Sequence, residues 1–166
     1  MEDLIIIFIQ GVYISDKNID SSDDDDDIST FDTIPTHFTG LEYWLQRTNV
    51  RCAHCCLEHD MVPVFIPQYF KSTPDGVEIA IEKVLFCSFP CASAYIETIY
   101  KGSELESKKI GLRYVYKLFT NEEIDIIPQA PSRYEIDTFG GSTTTYTVAR
   151  YRRHLHHLIP FTRYII

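Results

Sequence analysis

Four of the five cysteines stand in two close pairs, Cys52 with Cys55 and Cys87 with Cys91. Two residues between the members of the first pair let both sulfurs of one tight turn face the same cation, and two such pairs together can close a tetrahedron around Zn²⁺. A chain without an export signal keeps its thiols reduced, so the cysteines read as metal ligands rather than as a disulfide framework. Four thiolates leave no open coordination position, which predicts one structural zinc and not a catalytic one. Spacing alone leaves alternatives open: Cys56 after a one-residue slip, or His54 or His59 in place of a sulfur. Buried free thiols are the competing reading, since cysteine is among the most buried residue types. A redox dithiol at Cys52 and Cys55 would need a strand before the pair and a helix after it, a context the sequence lacks. No glycine-rich phosphate loop follows a strand, and the carboxylate pairs read as solvated faces, so no enzymatic activity is expected.

The elements that must position these sulfurs follow from pattern. Met61 to Ile66 is apolar and β-branched, Thr73-Pro74-Asp75-Gly76 has turn chemistry, and Val77 to Phe86 returns with rough alternation, which predicts a β-hairpin ending at Cys87. Ser88 can cap a helix with Pro90 at its second position, placing Cys91 in the first turn, where free N–H groups and the helix dipole favour a thiolate. Ala92, Tyr95, Ile96, Ile99 and Tyr100 then share one face before Gly102 ends the helix. Thr39 and Glu42 have capping-box spacing, predicting a short helix from Gly40 to Arg47 with Trp44 in the core. A longer helix is expected from Glu104 to Phe119, with Leu105, Leu112, Val115, Tyr116 and Phe119 inward and Gly111 as a weak point.

At 166 residues the chain supports one ordinary core. Its net charge of −9 is unevenly spread, because residues 1–50 hold 2 basic and 11 acidic side chains whereas residues 101–166 hold 10 and 7. Leu4 to Ile9 is too short to span a bilayer, and Glu2 and Asp3 stand where a secretory signal would be basic, so a protein neither secreted nor membrane-bound is expected. Residues 1–14 read as a strand. Residues 15–37, with the run Asp23 to Asp27, read as an acidic disordered linker. Residues 38–119 form the metal-bearing core with flanking helices. In 120–166, Pro128 and Pro131 favour an extended segment from Asp125 to Phe139. A last helix from Ser142 to Ile159 follows, with Val148, Tyr151, Leu155 and Leu158 inward. Its Arg150, Arg153, His154 and His157, with Arg152 adjacent, make a candidate phosphate-facing stripe, the most basic stretch of the chain. The expected fold class is α+β: a small zinc-stapled β-hairpin plus helix, followed by further C-terminal helices.

The stretch Phe86-Cys87-Ser88-Phe89-Pro90-Cys91, followed by a helix with Tyr95-Ile96 and preceded by Cys52-Ala53-His54-Cys55, resembles the FCS-type zinc fingers of the MYM/TRASH group. Val64-Phe65-Ile66-Pro67 lies between those motifs, and Ala130-Pro131-Ser132-Arg133 and Phe139-Gly140-Gly141 follow them. In that order they resemble the viral late transcription factor 2 family of poxviruses and related nucleocytoplasmic large DNA viruses, from about Arg51 to Arg150. Where that family has an acidic start to the last helix ending in Phe-Arg, this chain has Thr143-Thr144-Thr145-Tyr146-Thr147-Val148-Ala149-Arg150, so no role carries over to that helix. The resemblance implies a zinc-binding trans-activator of late viral genes. It would work through the viral RNA polymerase or other late transcription factors, with DNA contact as an option, in the viral factory of the host cytoplasm. A virion structural or interaction protein using the finger as a rigid docking module is the alternative.

Overall fold

The computed structural model describes residues 30–140 and 145–159, so the expected N-terminal strand, the aspartate run and the first residues of the expected last helix, 142–144, lie outside the described residues. A β-hairpin dominates the first half, formed by β4 (Val64–Thr73) and β5 (Gly76–Phe86). Its two-residue turn is the expected Pro74-Asp75, with the Thr73 hydroxyl donating to the Gly76 carbonyl. Short strands β1 (Thr30–Phe31), β2 (His37–Phe38) and β3 (Arg47–Thr48) precede it. β1 pairs in parallel with β3, and β2 joins β5 antiparallel, giving a sheet of order β2-β5-β4. Residues 30–37, expected to belong to the disordered linker, include strand pairings instead. Phe38 is the reason, since its side chain is buried against Trp44, Phe65 and Phe119.

The helix expected from Gly40 to Arg47 is only a single 3₁₀ turn, Leu41–Tyr43. Trp44 leaves helical geometry to reach the core, where its indole N–H donates to the Pro63 carbonyl at 2.8 Å, and the chain continues as β3. Burial of that side chain outweighs a capping box worth about 1 kcal/mol.

Helices α1 (Phe89–Ile99) and α2 (Gly102–Thr120) follow β5. Gly102 opens α2 rather than closing α1, and its φ of +58° makes the joint between them in a region that favours glycine. Ile99, expected inward, is 53% exposed. The stripe Leu112, Val115, Tyr116 and Phe119 is buried as expected, while Leu105 is half-buried. Gly111 has a packing purpose: a Cβ there would lie 2.6 Å from Cγ of Pro67, so the helix approaches β4 only because the position is bare. Beside it the buried Lys108 ammonium donates to the Pro67 carbonyl at 3.0 Å and to Glu82 at 2.5 Å, so the charge is paired and hydrogen-bonded.

The register of β4 against β5 is irregular on both sides of Pro67. The base of β4, Val64 to Pro67, is buried at consecutive positions, whereas Gln68 to Ser72 is exposed. Phe65 and Phe119 carry the core together with Trp44, Phe38 and Phe89, at ring separations of 4.9 to 6.0 Å. Beyond α2 the chain makes two 3₁₀ turns, Arg133–Glu135 and Asp137–Phe139, where an extended segment was expected. Ser132 and Glu135 form a reciprocal capping box that curls the first of them. α3 (Val148–Leu158) starts later than expected, at a Thr147 cap whose hydroxyl accepts from the Arg150 N–H. The architecture is thus a small antiparallel sheet with helices after the strands, an α+β mix.

Candidate metal centre

Three backbone segments meet at one point. Residues 51–57 form a knuckle: the Cys56 N–H donates to the Cys52 carbonyl at 2.9 Å, and the Cys52 N–H to the Leu57 carbonyl at 3.1 Å. A third bond, from the Ala53 N–H to the Leu85 carbonyl at 2.9 Å, fastens the knuckle to the end of β5. β5 delivers Cys87, and α1 delivers Cys91 from its first turn. The Ser88 hydroxyl accepts from the Cys91 N–H at 3.3 Å, which caps the helix and fixes that sulfur's backbone.

The structure brings Cys52, Cys55, Cys87 and Cys91 together, with all four sulfurs within 4.8 Å of one another and all four residues buried. Cys87 Sγ lies 3.6 Å from Cys91 Sγ and 3.8 Å from Cys55 Sγ. The edge of a tetrahedron with metal–sulfur bonds of 2.3 Å is about 3.8 Å. A disulfide needs sulfurs about 2.05 Å apart. Spacing, burial and donor chemistry together fit one tetrahedral metal ion.

The protonation pattern points the same way. Burial pushes the Cys52 thiol up, but hydrogen bonds from Cys55, Cys87 and Cys91 outweigh it and hold Cys52 well below the ordinary thiol value. Cys87 and Cys91 are pushed well above that value, first by their hydrogen bonds to Cys52 and Cys55. A divalent metal supplies the positive charge that lets buried thiols ionise together.

The alternative ligands stand outside the four-sulfur cluster. Cys56 takes a left-handed conformation, φ 60°, which turns its half-buried sulfur outward to accept from the Arg133 guanidinium at 3.1 Å. His54 pairs through Nε2 with the Pro131 carbonyl at 2.9 Å. His59 lies 3.2 Å through Nδ1 from the Met61 carbonyl, its buried Nε2 has no partner among the described residues, and burial lowers its pKa.

Sequence reasoning missed the outer layer of the site. Tyr151 of α3, expected only as a core residue, is fully buried with its hydroxyl 3.9 Å from Cys91 Sγ, and it donates to the Pro131 carbonyl at 2.9 Å. Burial above all pushes that hydroxyl's pKa up, so it stays protonated. The Ala-Pro-Ser-Arg motif was the available signal: Pro131 offers its carbonyl to both His54 and Tyr151, Ser132 caps the turn, and Arg133 covers Cys56. Between the knuckle and α3 lies a cavity of about 140 Å³ lined by Cys55, Glu58, His59, Tyr151, Arg152 and His156, among others.

Of the candidate basic residues, Arg150, Arg152, Arg153 and His157 are exposed on α3. His154 is only half-exposed and packs against the Tyr146 ring at 5.4 Å, and His156 is exposed in its place. Arg152 also donates to the Glu58 carbonyl at 2.6 Å, tying α3 to the knuckle.

No family model and no solved structure matches the chain. It is 26% identical to an uncharacterized protein, B175L, of African swine fever virus over 146 residues, covering 82% of each chain. The same protein from another isolate is 30% identical over 109 residues, 65% of this chain and 62% of its own. An uncharacterized protein, R450, of Acanthamoeba polyphaga mimivirus is 30% identical over 142 residues, 82% of this chain but 38% of its own. Among the described residues no helix is long and apolar enough to cross a membrane. The chain is a distant homologue of proteins of two large DNA viruses and carries a buried four-cysteine cluster able to hold a metal.

Proposed function

We propose that this protein is a zinc-stabilised late transcription factor of a large DNA virus, acting through contacts with the viral RNA polymerase or its companion factors in the viral factory. The observation that carries the structural-zinc part is the closed, buried set of four sulfurs at tetrahedral spacing. All four donors are thiolates, so no position is left for a substrate or an activated water, and the metal's work is to hold knuckle, hairpin and helix together. The transcription part is supported by the motif order from Cys52 to Gly141, and the viral setting by the viral relatives. Contact through protein is supported by the hairpin's far end, where Tyr69, Phe70 and Tyr114 are 52%, 47% and 40% exposed and Phe70 stacks edge-on against Tyr114. Such exposed aromatics are the usual anchors of protein interfaces.

The test is affinity purification of the tagged full-length protein from infected cells late in infection, with metal analysis of the product. About one zinc per chain and co-purification of polymerase subunits are the expected results. Recovery as a stoichiometric component of purified particles, without polymerase, would replace this reading with that of a virion docking module.

A further inference from the structure

Charge is divided within this chain more sharply than its net value suggests. Residues 1–32 hold one basic and ten acidic side chains, while residues 33–166 hold fourteen of each. The body of the protein is therefore neutral overall, and α3 stands out within it, with three arginines, three histidines and no carboxylate in eleven residues.

The fold orients that helix decisively. Tyr151 and Leu155 are buried and Val148, His154 and Leu158 half-buried, which leaves Ala149, Arg150, Arg153 and His157 outward, with the exposed Arg152 and His156 on the side toward the knuckle. At 100° per residue, Arg153 is central, with Arg150 and His157 on one side and Arg152 and His156 on the other. Among the described residues no carboxylate pairs with any of the three arginines. Side chains that only solubilise a surface are usually interspersed in sign. A one-sign face on a neutral body is a site for an extended polyanion.

We infer that the outward face of α3 binds the phosphate backbone of nucleic acid. Arg150 to His157 spans about 10 Å of helix axis, the rise of roughly three successive phosphates of one duplex strand. Tyr151 and the Arg152 bond to Glu58 hold the helix on the metal knuckle, so the cations are presented from a fixed support. The contact reads backbone rather than sequence, because the face offers charge without a set of base-reading amides. This surface stands whether or not the chain serves transcription.

The test uses the metal-loaded full-length protein and a labelled duplex DNA oligonucleotide, with a single-stranded RNA of the same sequence as a second probe. Binding is expected at low salt and should weaken linearly on a log–log plot as salt rises. Replacing Arg150→Gln and Arg153→Gln together should weaken binding roughly tenfold and flatten the salt slope by about two. Lys83→Gln with Lys101→Gln removes the same charge elsewhere and should change affinity less than about twofold. Metal content and thermal transition, unchanged in both variants, verify the fold. Equal losses in the two variants, or none in either, overturn the assignment. A protein that binds only after Asp23 to Asp27 are replaced by Asn also overturns it, and makes the acidic run the occupant of this face. Preference for one probe over the other names the source of the phosphates, and binding of both through Arg150 and Arg153 supports the inference equally.

Discussion

The metal knuckle and the base of the hairpin sit side by side and are held by opposite means. Across residues 51–60 only Cys52 and Cys55 are buried, and both face the cluster. At the hairpin base, Val64, Phe65, Ile66, Leu85 and Phe86 are all fully buried, and aromatic rings surround Phe65. One segment buries little apolar surface beyond its cluster of cysteines, which is able to hold a metal, whereas the other is packed on aromatic and aliphatic side chains. A domain this small often adds a metal where its core runs out, and here the boundary between the two regimes runs through the bond from Ala53 to Leu85.

The strongest way to break that contrast is Cys87→Ser. Structural zinc contributes on the order of 10 kcal/mol to small fingers, so the variant should lose its metal and the amides of residues 51–57 should lose hydrogen-exchange protection. Those of β4 and β5 near Phe65 and Leu85 should keep theirs, and simultaneous loss in both would show one cooperative unit. Cys56→Ser should retain one metal per chain. Phe65→Ala should cost about 3–5 kcal/mol in denaturant unfolding, with metal stoichiometry unchanged. Gly111→Ala sets a gain of about 1 kcal/mol in helix propensity against about 1–3 kcal/mol of overpacking on Pro67. A lower thermal midpoint is therefore expected despite the better helix former. Tyr151→Phe removes one hydrogen bond to Pro131 and should cost about 1 kcal/mol, read as faster proteolysis of α3 with the metal retained.

What the sequence made legible was local. The cysteine spacing, the Thr73 to Gly76 turn and the Ser88 cap each act over a few residues, and each has its counterpart in the structure. The shortfalls share a cause in distant partners. Thr30–Phe31 carries no strand signal of its own and pairs because Arg47–Thr48 lies alongside. Trp44 abandons a helix for the Pro63 carbonyl. Gly111 looked like a flaw until Pro67, forty-four positions earlier in the chain, filled its place. On α3, helical spacing suggested His154 for the charged stripe, but Tyr146 draws it aside and His156 takes the outward position.

Pro67 has one more consequence. β4 is the outer strand of its sheet, and Pro67 offers no N–H, sits between two irregularities of register and lies under α2. An unprotected rim of this kind would invite a neighbouring molecule to stack on in ladder fashion. Here Pro67 can donate no rung in the buried, apolar part of the strand, which disfavours edge-to-edge stacking there.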